Sequence, residues 1–139
     1  MNDFNTKYYQ EINERLSSGQ PFIFCKKENF KFQNFQYFLF REGINSYLID
    51  RYPIDLVDKT SLLEAIYYEA RLFEMFDLNW DSFQEGLESK VDTDGRKLVL
   101  IFSDIQNIKK IKEEIETMKE VIESINANKE WKIKVLLGK

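Results

Sequence analysis

Four carboxylates in one short stretch carry the most chemical potential in this chain. Asp77, Asp81, Glu85 and Glu88 follow one another at spacings of three and four, which on a helix sets them along one side. Paired carboxylates can work as general acid and base where a cleft raises the pKa of one of them. They can also hold a hard cation, but that needs oxygen ligands spaced around a glycine turn, and no segment has that pattern. A third use is recognition, because exposed carboxylates accept charge-assisted hydrogen bonds from lysine and arginine. The plainest use is a solvated helix face. Other chemistries are excluded at the outset. There is no histidine, which removes Ser-His and Cys-His nucleophiles, histidine bases and histidine-ligated metals. The single cysteine, Cys25, allows neither an intramolecular disulfide nor a multi-thiolate metal site. It follows Phe22-Ile23-Phe24 and reads as a small buried apolar group.

The acids have an apolar counterpart. Phe76, Trp80 and Leu87 each stand one residue ahead of an acid and Phe83 two residues ahead of Glu85, and one residue is about 100° of helix rotation. The aromatic stripe therefore enters a core while the carboxylates lie beside it at the surface. Like charges four residues apart cost an isolated helix about 0.2–0.5 kcal/mol per pair. Asp77 and Asp81 recover part of this from the helix N-terminus; Glu85 and Glu88 do not. Residues 64–94 hold nine acids and two bases, a net of −7, in a chain of 20 basic and 24 acidic residues whose total is −4. A general polyanion binder carries a basic excess, so direct nucleic-acid binding is not expected.

The elements that must position these side chains follow from composition and periodicity. The 139 residues are 43% hydrophobic and 15% aromatic, enough for one packed domain. Thirteen of the 21 aromatics fall in residues 1–52, which marks an aromatic-rich N-terminal layer. Phe4, Tyr8, Ile12 and Leu16 predict a helix over 4–17. Phe22-Ile23-Phe24 is a short strand, and Tyr37-Phe38-Leu39-Phe40 reads as another, turning through Arg41–Asn45 into a strand at 46–51. Ser61-Leu62-Leu63-Glu64 has a capping-box pattern and predicts a helix to about Met75. A second helix covers about 80–88 with Asn79 as N-cap, and Asp92–Gly95 reads as a turn. Leu98-Val99-Leu100-Ile101-Phe102 suits a central parallel strand covered on both faces. Ile108, Ile111, Ile115, Met118, Ile122 and Ile125 make one helical stripe. Ile133, Val135 and Leu137 alternate with lysines, which suits an edge strand. The predicted fold class is α/β: a three-stranded parallel sheet in the order 1-2-3 with crossover helices, extended by an antiparallel N-terminal edge strand at 35–41. No positively charged leader precedes an apolar run, and the longest apolar run is too short to cross a bilayer. A cytoplasmic protein without membrane contact is expected.

The segment Asn79-Trp80-Asp81-Ser82-Phe83-Gln84-Glu85-Gly86-Leu87, with Phe76 before it, resembles the barstar family, the intracellular inhibitors of barnase-like ribonucleases. The resemblance extends in order through residues 46–139, with Leu98–Phe102 similar to the family's central strand and Lys132–Leu137 to its last. It divides the chain into an N-terminal extension, 1–42, packed on a barstar-like body, 43–139. It implies an immunity-type inhibitor and not an enzyme, needing no cofactor or metal, whose partner is a basic ribonuclease or toxin domain. By position, Asp81 and Glu85 match the acids that family members set against the catalytic basic groups of the nuclease. Asn79 and Trp80 match the junction beside them. Asp77, Gln84 and Glu88 complete the expected partner-binding face, and Glu116, Glu120 and Glu123 are candidates for a further acid from the following helix. The alternative is a non-inhibitory interaction or regulatory module on the same fold.

Overall fold

A computed structural model describes residues 3–75, 77–127 and 130–139, the first three by backbone alone. In chain order the elements are α1 (Asp3–Leu16), β1 (Phe22–Cys25), α2 (Phe32–Arg41), β2 (Ile44–Leu48), α3 (Lys59–Glu69), α4 (Trp80–Asp94), β3 (Lys97–Phe102), α5 (Lys112–Ile125) and β4 (Ile133–Gly138). Two 3-10 turns, Ile49–Arg51 and Ile105–Ile111, follow β2 and β3.

The described strands form one parallel sheet in the order β1-β4-β3-β2. The chain crosses the sheet in one direction from β1 to β2 and returns through β3 to β4. Right-handed crossovers that travel in opposite directions lie on opposite faces, and the helices divide accordingly. Leu98, Leu100 and Phe102 of β3 join α3, α4 and α5 in one core, while Val99 and Ile101 join α1 and α2 in the other. Leu98 to Phe102 are all almost fully buried, as an apolar run covered on both faces requires. The stripe from Ile108 to Ile125 is buried throughout, but Ile108 and Ile111 lie in the 3-10 turn and only Ile115 onward in α5.

The expected three-strand order, with Lys97–Phe102 in the middle, is present as β2-β3-β4. The extension is a correction. It is not an antiparallel strand at 35–41 on the β2 edge, but β1, parallel and paired with β4. Residues 35–41 belong to α2. Their aromatics have high strand propensity, yet Phe35 and Leu39 sit one helical turn apart, both fully buried, and that spacing prevails. β4 is accordingly internal rather than an edge. Its Lys134 is buried because the ammonium donates to the carbonyls of Ser18 at 2.7 Å and Gln20 at 2.6 Å, which offsets desolvation of the charge.

Element ends shift for identifiable reasons. The N-cap of α3 is Asp58, whose side chain accepts from the Ser61 N–H at 2.8 Å while the Ser61 hydroxyl accepts from the Asp58 N–H. Ser61 is therefore the third helical residue and not the cap. α3 ends at Glu69, short of Met75, and Arg71 takes a left-handed φ of 57°. The strand expected over 46–51 stops at Leu48, where the 3-10 turn begins. α4 runs through the expected turn at 92–95 and ends on Gly95, whose φ of 64° is the left-handed cap glycine adopts readily.

Candidate functional site

The loop before α4 fixes where its acids point. Leu72 and Met75 are buried, and the Met75 N–H bonds to the Leu72 carbonyl at 2.9 Å. Asn79 then caps α4, its Oδ1 accepting from the Ser82 N–H at 2.8 Å. Phe83 and Leu87 are fully buried, and Trp80, half-buried, meets Phe83 edge to face with centroids 5.4 Å apart. Gly86 faces the same loop. A Cβ at this position would lie 3.0 Å from the Met75 Cβ and 3.5 Å from that of Leu72, so glycine lets the helix seat closely on the segment that leads into it. Phe76 and the Phe4 side chain, each expected in an apolar stripe, lie outside the described residues.

On this platform Asp81, Glu85 and Glu88 are exposed on α4, and Asp77 is exposed just before it. Gln84 and Trp80 are half-buried at the flank. Asn79 is exposed, but its side-chain oxygen serves the cap. Asp81 lies in the first turn, where the helix dipole favours a negative charge. Among the described residues, none of Asp77, Asp81, Glu85 and Glu88 takes part in an ion pair or side-chain hydrogen bond. Neighbouring acids are treated differently. Glu69 lies 3.7 Å from Arg51, and Asp94 accepts from Lys90 at 3.3 Å and from Asn45 at 3.3 Å. The ends of the −7 segment are partly neutralised, and its middle is left to solvent. α5 packs beside α4, and Glu116, Glu120 and Glu123 are exposed on it.

Two features lie outside the expected face. Phe73 is 72% exposed and Leu78 38%, so the loop that carries Asp77 also presents apolar surface. Leu78 stands off the aromatic stripe, which was the available sign that it faces out. The second is a polar network at the carboxyl ends of the strands. Asp50 accepts from the N–H groups of Ser103 and Asp104, from the Ser103 hydroxyl and from the Asn107 amide, at 2.9–3.1 Å. Asp104 in turn accepts from the Lys27 ammonium at 2.7 Å. That hydrogen bond, followed by one from the Gln106 N–H, holds the Asp104 carboxyl below the usual carboxylate value. Gly138 lets β4 lie close against the turn after β3, because a Cβ there would collide with the Ser103 carbonyl oxygen. Open α/β sheets bind ligands outside the carboxyl ends of their strands; here that ground holds an internal ion pair and a close backbone contact. No sequence motif joins Lys27, Asp50 and Asp104, which only the topology brings together.

Among the described residues, no group of three or more Cys, Asp or Glu side chains could hold a metal ion, and no helix is long and apolar enough to cross a membrane. The chain matches none of the family models, curated proteins or solved structures with which it was compared. The arrangement on α4 suits recognition: fixed backbone, free carboxylates and adjacent apolar side chains.

Proposed function

We propose that the chain is a non-enzymatic inhibitor of barstar type, acting in the cytoplasm as immunity against a basic ribonuclease or toxin domain. The observation that carries this reading is the set of unneutralised carboxylates, Asp81 and Glu85 foremost, on a helix whose other side is anchored by Phe83, Leu87 and Gly86. The resemblance of residues 79–87 to the barstar family supports the same assignment. A ribonuclease active site is basic because it binds phosphate. Two carboxylates one helical turn apart offer oxygens where phosphate oxygens would sit, and charge-assisted hydrogen bonds to arginine or lysine follow. The surrounding negative charge steers encounter and raises the on-rate at low salt.

The test is cleavage of a fluorogenic RNA by a panel of basic, barnase-like ribonucleases with and without the purified chain. Stoichiometric inhibition of at least one, lost in the Asp81→Ala/Glu85→Ala double variant, is expected. Full ribonuclease activity across the panel at excess inhibitor would leave the fold as an interaction module for a different partner.

A further inference from the structure

The β1 edge of the sheet carries a second surface whose residues lie outside the acidic 64–94 segment. Among the described strands, β1 has a neighbour on one side only. The Val135 N–H bonds to the Pro21 carbonyl and the Lys139 N–H to the Cys25 carbonyl, so positions 21, 23 and 25 face β4. Strand alternation turns the N–H and C=O groups of Phe22 and Phe24 to the open side. Along this edge runs a groove of about 750 Å³, with Phe22, Phe24, Ile108, Ile115 and Leu137 among its lining residues. Phe24 is 37% exposed.

Lysines rim the groove. Lys109 and Lys112 line it, with Glu116 the one acid among the lining residues. The Lys139 ammonium stands 4.2 Å from the centroid of the Phe24 ring, and that of Lys119 6.0 Å from the Phe22 ring. The charge decides between occupants. Two copies of this chain joined edge to edge would bring the lysine rims together. An extended segment with carboxylates would neutralise them, while its backbone paired with Phe22 and Phe24 and its apolar side chains covered Phe24.

We infer that β1 and its groove receive an extended acidic segment of a partner protein, added beside Phe22 as a further strand of the sheet. This surface does not depend on ribonuclease binding by α4, and the two can be separated. The probe is a labelled peptide, Glu-Glu-Val-Thr-Val-Thr-Val-Glu-Glu, compared with its lysine-ended counterpart and with a version N-methylated at alternate residues. With the full chain, the acidic peptide should bind at least tenfold more tightly than either in fluorescence polarisation. It should shift the amide resonances of 22–25 and 105–112. Phe24→Asp should weaken it at least tenfold, and Asp81→Ala/Glu85→Ala should leave it unchanged. No saturable binding up to millimolar peptide, or equal binding of the N-methylated peptide, would overturn the inference. So would preference for phosphatidylserine vesicles over the peptide, or an edge-to-edge dimer in sedimentation that excludes it.

Discussion

Asp50 and Asp81 are both carboxylates beside the end of a regular element, and the fold uses them in opposite ways. Asp50 accepts hydrogen bonds from Ser103, Asp104 and Asn107 and so ties the end of β2 to the turn after β3. Asp81 accepts none from the described chain and stands free with Glu85 on α4. Carboxylates with internal donors hold a structure together; removing one strands the donors, at the cost of a desolvated polar group. Carboxylates without internal partners leave stability nearly alone, and their repulsion is a small standing penalty. The difference separates carboxylates that tie the fold together from carboxylates left free for the proposed partner, and mutagenesis can set the two apart.

The largest effect should come from beneath the free acids. Phe83→Ala removes a fully buried ring and should cost about 3–5 kcal/mol in denaturant unfolding, with binding lost as a consequence. Trp80→Ala, being only half-buried, should cost visibly less. Next comes the internal network: Asp50→Ala should cost about 1–3 kcal/mol, and equal stability of mutant and wild type would erase the distinction. The acid limb of a stability–pH curve tests the same region. Asp104 has a lowered pKa in the folded state, so its contribution is present above the unfolded value of about 3.9 and fades as pH falls through the folded one. Lys27→Met should flatten that limb. The smallest stability effect belongs to Asp81→Ala and Glu85→Ala, each within about 0.5 kcal/mol, while each should weaken partner binding by about 2–5 kcal/mol, mainly through faster dissociation. Replacing rim acids such as Glu74 or Asp92 should lower the on-rate and its salt dependence instead.

Cys25 offers an internal check on every variant. Burial pushes its thiol up to about 12, whereas an unfolded thiol ionises near 8.5. Its protonated state therefore favours the fold below about 8.5, and this contribution erodes as pH rises toward the folded value. A thiol reagent at pH 8 should react slowly with the native chain and with the α4 variants. It should react faster with Asp50→Ala if the strand-end network guards the fold. Equal protection in all of them would confine the network's role to its own loop.

The sequence pattern disclosed the half of the molecule where one period dominates. The α5 stripe, the unbroken Leu98–Phe102 run and the N-cap at Asn79 each carry a single unambiguous signal, and the structure has all three. The acidic face was legible as placement: Asp81, Glu85 and Glu88 are exposed on α4 where spacing puts them, while Asp77, expected in the same helical row, is exposed in the loop before the helix. The proposed partner is a matter of chemistry outside the chain. The N-terminal half was harder because its aromatics satisfy two patterns at once. Phe35, Phe38 and Leu39 suit a strand by type and a helix by spacing. Lys134 suggested an edge because nothing local announced that carbonyls of Ser18 and Gln20, far away in sequence, would receive its ammonium. Long-range satisfaction of a polar group leaves no local trace.

The place of β4 has a consequence in time. Phe22 pairs with Val135, so β1 emerges from the ribosome long before β4, the strand it pairs with. Until β4 slots between β1 and β3, β1 has no strand to pair with, and the core of α1 and α2 lacks Leu136 beside Val99 and Ile101. Contacts so distant along the chain are slow to close, and exposed strand edges in such intermediates invite association. In a chain assembled this way the α4 segment is synthesised before the strand that seals the body beneath it. Whether a nascent chain can already bind a partner through α4, before release, is a question about order of assembly that a ribosome-stalled chain could answer.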